Sequence, residues 1–212
     1  MLSSSHVIEI VQTGVEAAAV IAFAMSGLMA AARKQLDVVG AFVVAGLTAF
    51  GGGTLRDILL DRRPFFWVEH HAWLWVLLAL CSAAMLFMSS RHIEPTERAM
   101  QWPDALGLGL FTATGTQLAL AQDMPLLVAV LLGVVTATFG GVLRDIVCNE
   151  IPSLFRDRRP YAVCAFIGGW VAVGAHAAGA AELTVLLLAA VVTSALRMGS
   201  LWLGFTLPGW RQ

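Results

Sequence analysis

The chain has 212 residues, 58% apolar and 13% charged, with a formal net charge of −1 and a mean hydropathy of +0.79. Soluble domains carry about 25% charged residues, so this composition predicts an integral membrane protein. The 13 Arg and Lys are scattered rather than pooled on one face, which excludes nucleic acid as a partner. Cys81, Cys148 and Cys164 lack CxxC spacing, so neither a disulfide framework nor a zinc site is expected.

Seven apolar segments lie near the ~20 residues that cross a bilayer. They cover residues 8–32, 36–60, 72–89, 102–121, 126–148, 161–178 and 183–205, and are called spans 1 to 7 in this subsection. Span 1 has no Lys or Arg before it and exceeds the apolar core of a signal peptide, so it is expected to be retained. The longest hydrophilic connection is 90–101, with Arg91, Glu94, Pro95, Glu97 and Arg98. If the spans alternate, Arg33, Lys34, Arg91, Arg98, Arg156, Arg158, Arg159 and Arg211 share one side, against Arg62 and Arg63 on the other. The positive side faces the cytoplasm, which puts the amino terminus outside and the carboxyl terminus inside.

A sequence repeat dominates spans 2 and 5. Gly52-Gly53-Thr54-Leu55-Arg56-Asp57-Ile58 recurs 88 residues later as Gly140-Gly141-Val142-Leu143-Arg144-Asp145-Ile146. Aligning 20–64 with 108–152 also pairs Phe23 with Phe111, Gly27 with Gly115, Thr48 with Thr136 and Pro64 with Pro152. The offset carries the chain past three spans, an odd number, so the copies enter the membrane from opposite sides. The expected fold is an all-α membrane protein in one transmembrane domain. It consists of two inverted three-helix repeats (about 8–89 and 102–178) plus a seventh helix (about 183–205).

The motif has two readings. Glycine destabilises a helix by roughly 1 kcal/mol relative to alanine, so Gly51, Gly52 and Gly53, with Gly140 and Gly141, are expected to kink spans 2 and 5 at depth. The plainer reading is close helix packing by small residues. Ionisable residues inside a membrane are candidate functional groups, which places Arg56, Asp57, Arg144 and Asp145 in a pore or substrate site. Adjacent helical residues point about 100° apart, so the alternative is an inter-repeat clamp, Arg56 to Asp145 and Arg144 to Asp57. For cations to pass, the arginines must be neutralised or swing aside. Candidate lining residues are Glu16, Ser26, Thr48, Thr114 and Thr136, with Thr54, Thr112, Thr116, Gln117 and Thr138 nearby in sequence. No HExxH, GxSxG or phosphate-loop motif occurs, so no enzymatic activity is expected.

The paired Gly-Gly-x-Leu-Arg-Asp segments, each trailed by a proline (Pro64, Pro152), resemble the bacterial relatives of the trimeric intracellular cation (TRIC) channels. That set is also described as a glycine-transporter-like domain family. The resemblance implies a homotrimer in a bacterial or archaeal cell membrane that needs no cofactor. Each subunit would have its own hourglass pore, bounded by spans 2 and 5 with 1 and 4, passing potassium and other monovalent cations. The implied kinks fall on Gly51, Gly52 and Gly53 and on Gly140 and Gly141, with Phe139 opposite Gly51. Animal members gate through lysines that bind phosphoinositides. Lys34 is the only lysine here, so that gating does not carry over, while membrane lipid remains a partner. Inverted repeats with broken helices also suit a carrier of glycine or a similar zwitterion, and a scaffold without permeation is the third alternative.

Overall fold

A computed structural model describes residues 4–87 and 97–208. Arg91, Glu94 and Pro95 of the long connection, and Arg211, lie outside them. All regular structure among the described residues is helical: α1 (Ser4–Arg33), α2 (Val38–Leu59), α3 (Phe66–Glu69), α4 (Ala72–Phe87), α5 (Glu97–Ala121), α6 (Leu126–Val147), α7 (Ser153–Arg156), α8 (Ala162–Ala177) and α9 (Glu182–Leu203). Helix is what hydrocarbon enforces, because each backbone N–H and C=O must be satisfied within its own segment. Val11–Arg33, Val38–Leu59, Leu126–Val147 and Glu182–Leu203 are long and apolar enough to cross a membrane, and α4 and α8 are shorter apolar helices.

Two elements escape periodicity altogether. α3 and α7 are single turns after Pro64 and Pro152. Each is tied to the end of the preceding long helix. Asp57 Oδ2 accepts from the backbone N–H of Phe66 (3.1 Å), and Asp145 Oδ2 accepts from that of Ser153 (2.7 Å). The aspartate of the repeated motif is therefore a turn-building residue as well as a charge.

The elements pack in a matching order. α2 lies against α1 and α6, α5 against α1 and α6, α4 on α2, and α8 on α6 and α5, while α9 closes over α5 and α8. Equivalent contacts recur at the 88-residue offset. Phe23 stacks on Phe111, its own counterpart, with centroids 5.4 Å apart and planes at 18°. A residue touching its own counterpart places the relating twofold between the two. The core around this pair is apolar, built from Ala19, Val20, Ala45, Ala49, Leu108 and Ala137.

α2 and α6, expected to kink at the glycines, run through them without a break. Three glycines forfeit roughly 3 kcal/mol of helix propensity relative to alanine. Opening the ladder in hydrocarbon would strand several backbone groups at several kcal/mol each, so the intact helix wins. What the glycines provide is contact. A Cβ on Gly52 would sit 1.9 Å from the Thr136 carbonyl oxygen, and one on Gly140 would sit 2.1 Å from the Thr48 carbonyl oxygen. α2 and α6 therefore cross backbone to backbone at two reciprocal points. Gly53 and Gly141 differ, since their nearest side-chain neighbours include the guanidiniums of Arg56 (3.9 Å) and Arg144 (3.8 Å).

At one end of the bundle Glu150, just past α6, binds both Arg33 and Lys34 at the end of α1, the latter at 2.8 Å. Burial alone would raise its carboxyl, but the two cations outweigh it and hold the group below the ordinary 4.5. A carboxyl lowered on folding stabilises the fold above its ordinary pKa and loses that contribution as pH falls through the folded value. Glu150→Gln should lower the melting temperature in detergent at pH 7 by a few degrees, matching about 1 kcal/mol or less for a partly exposed pair. The difference from the parent should shrink as pH falls below that ordinary value.

Candidate functional site

Six ionisable side chains are buried in two clusters related by the same offset. In the first, Arg56 donates from Nη1 to Glu16 Oε1 (2.6 Å) and from Nε and Nη2 to Asp57 Oδ1 (2.9 and 2.8 Å). In the second, Arg144 donates from Nη1 to Asp104 Oδ1 and from Nε to Asp145 Oδ1, both at 2.8 Å. Arg56 and Arg144 are 1% and 2% exposed and none of the four carboxylates exceeds 6%, so neither cluster is a surface ion pair. Arginine suits the position because its planar fork carries five N–H donors that one ammonium cannot reproduce.

The expected clamp between repeats is not formed. Each arginine bonds the aspartate beside it and an acid 40 residues upstream in the same repeat. The 100° argument applies to Cβ directions. Three methylenes let the guanidinium curl back over the following residue, so adjacency is no obstacle. Ser26 does link the repeats at this cluster: its Oγ accepts from Arg144 Nη1 (2.5 Å) and its hydroxyl donates to Asp104 Oδ1 (3.4 Å).

Formal charge follows from the partner count. One guanidinium and two carboxylates leave each cluster at −1, with Asp57 and Asp145 also tied to α3 and α7. The clusters face two cavities. One, about 90 Å³, is lined by Glu16, Thr13, Thr114 and Gln117 among others. The other, about 390 Å³, is lined by Asp104, Arg144 and Asp145 with Arg156, Arg159 and Arg197. A void of about 10 Å³ under the first cluster reaches from Glu16 and Arg56 to Phe111.

Between the cavities runs one face of α1 and one of α5. On α1 the buried residues Glu16, Val20, Phe23 and Ser26 follow helical spacing, and on α5 Asp104, Leu108, Phe111 and Thr114 repeat it in the opposite sense. Ten residues of helix are about 15 Å. Each stripe therefore begins at one charged cluster, crosses the stacked phenylalanines and ends near the other.

The family model described as "Glycine transporter" matches the chain twice, over residues 14–91 and 101–177. The chain belongs to that family. The two matched stretches coincide with α1–α4 and α5–α8 and leave α9 outside. A UPF0126 membrane protein of Vibrio cholerae is 35% identical over 190 residues, covering 88% of this chain and 77% of that protein. The UPF0126 inner membrane protein YadS of Escherichia coli is 32% identical over 191 residues, covering 88% and 89%. Crystal structures of the TRIC trimeric intracellular cation channel orthologue from Rhodobacter sphaeroides share the fold at a TM-score of 0.85 and 33% identity, over 92% of this chain and 99% of that one. A prokaryotic TRIC channel in 0.5 M KCl matches at 0.85 and 25% identity, over 94% and 100%.

In this glycine-transporter family chain the predicted residues separate into two groups. Glu16, Ser26, Arg56, Asp57, Arg144 and Asp145 come together in the clusters, and Thr114 lines the smaller cavity. Thr48 and Thr136 do not join them. Both are buried at helix crossings against Gly27 and Gly115 and donate to the carbonyls of Val44 and Leu132 at 2.6 Å. Gly51, Gly52 and Gly140 belong to the α2–α6 contact, and Gly53 and Gly141 face the arginines. Asp104 was not among the predicted residues. It is the counterpart of Glu16 at the same offset, four positions before the aligned stretch begins.

Proposed function

We propose that the chain is a potassium-permeable monovalent cation channel, with one path per subunit of a homotrimer in a bacterial or archaeal inner membrane. The observation that carries this reading is the charge of the two clusters. An arginine alone on the path would repel cations. Here each is outnumbered two to one by carboxylates, so neither cluster presents a net positive charge to a passing cation. The cation-channel likeness of the solved relatives supports the same class.

In this reading seven helices cross the membrane, α4, α5 and α8 joining the four long apolar ones, as two inverted repeats (about 8–89 and 102–178) with α9 added. The Glu16 cluster faces outside and the Asp104 cluster faces the cytoplasm. Phe23 and Phe111 form the central constriction, walled by apolar side chains. Gly53 and Gly141, free of close backbone neighbours, are where α2 and α6 flex to let the arginines shift. Membrane lipid surrounds the trimer.

Planar bilayers containing the purified protein test the proposal. Discrete unitary potassium currents are expected. Saturable glycine uptake into proteoliposomes with no unitary current would replace the channel by a carrier.

A further inference from the structure

The smaller cavity, beside Glu16, contains a group that the duplicated machinery does not explain. Gln117 lies on α5 one turn beyond Thr114 and is 7% exposed. Its Nε2 donates to the backbone carbonyl of Glu182 (3.3 Å), which fixes the amide's orientation. Its Oε1 has no hydrogen-bond partner. At the 88-residue offset stands Met29, so no equivalent amide exists in the other half. A buried carbonyl oxygen left unpaired is unfavourable, and a bound ligand can satisfy it.

The rest of the lining says which ligand. Gln12, Thr13, Glu16 and Thr114 surround the same cavity, all bearing oxygen, and about 90 Å³ accommodates an ion with part of its water shell. Carbonyl and hydroxyl oxygens replace the hydration of alkali cations, as they do in selectivity filters. Glu16 already shares its charge with Arg56, and among the described residues no group of three His, Cys, Asp or Glu side chains could hold a metal ion. That favours a singly charged ion over a divalent one. Arg62, Glu69 and His70 stand at the same cavity, and Arg62 Nη1 is itself buried without a partner. Arg62 is one of the two arginines that break the charge asymmetry between the two sides.

We propose that this cavity binds a partly dehydrated monovalent cation through Gln117 Oε1, Glu16 and the hydroxyls of Thr13 and Thr114, and that the Arg62 guanidinium competes for it as a tethered cation. The site itself stands on the cavity. Its place on the conduction path rests on the channel reading above.

The test uses the full chain in detergent, with thermal unfolding followed in KCl and in choline chloride at equal ionic strength. Potassium should raise the melting temperature above that in choline. Gln117→Leu should abolish the potassium-specific shift. Arg62→Gln, a change in the loop after α2, should lower the half-saturating potassium concentration roughly tenfold, equivalent to about 1.4 kcal/mol of relieved repulsion. A potassium shift that persists in Gln117→Leu, or an unchanged half-saturation in Arg62→Gln, would overturn the assignment. The second variant decides the matter if the first does not fold. Bilayer currents from a parent protein without a potassium-specific shift would overturn the site and leave the channel reading standing. A shift without currents would support the site and remove the channel.

Discussion

Arg144→Leu should be the most damaging single substitution in the chain. It leaves Asp104 and Asp145, each 6% exposed, as unpaired buried carboxylates. Breaking a buried pair by removing one partner typically costs 3–5 kcal/mol, a large part of the 5–15 kcal/mol that holds a folded domain together. Arg144→Lys should fall between Leu and the parent. A single ammonium keeps the charge but cannot reach Asp104 Oδ1, Asp145 Oδ1 and Ser26 Oγ with the geometry of the fork. Asp104→Asn should be mildest for folding, because Arg144 keeps Asp145. Yet it should reduce cation permeability, since it takes the cluster's formal charge from −1 to 0. Melting temperatures in detergent and currents in bilayers read the two orders separately. Equal stability of Leu and Lys variants would contradict the pairing described above.

Gly52→Ala and Gly53→Ala should behave oppositely although they are neighbours in one motif. At position 52 the new methyl meets a backbone oxygen at 1.9 Å, which cannot rotate away, so α2 and α6 must separate. Overpacking of this kind costs about 1–3 kcal/mol or more, and the reciprocal Gly140→Ala should cost as much. At position 53 the nearest atom is the Arg56 guanidinium at 3.9 Å, an ordinary contact. There alanine should be neutral, or stabilising by up to about 1 kcal/mol from helix propensity. If the glycines acted as kinks alone, both substitutions would straighten α2 and both would alter stability alike.

The contrast between those glycines shows what was legible in the sequence. Composition and the doubled motif led to membrane helices in two repeats, and helices stand at each of the seven expected segments. Backbone crossings were not legible, because a glycine run signals low helix propensity and close approach alike, and only the facing helix decides between them. The Arg–Asp pairing was missed because Cβ directions were used for a side chain long enough to ignore them. Asp104 carried a readable signal: extending the 88-residue alignment by one helical turn pairs it with Glu16. The single turns α3 and α7 carried none, being too short for periodicity, although Pro64 and Pro152 marked their place.

In the proposed channel, cations cross between the α1 and α5 stripes, through the stacked Phe23 and Phe111 that separate the two acidic clusters. Unitary potassium current through the Phe23→Ala, Phe111→Ala double variant in planar bilayers tests it most directly. Removing both rings from an apolar constriction should raise open probability or unitary conductance well above that of the parent protein. Currents indistinguishable from the parent, in a variant that folds, would place the path elsewhere in the bundle.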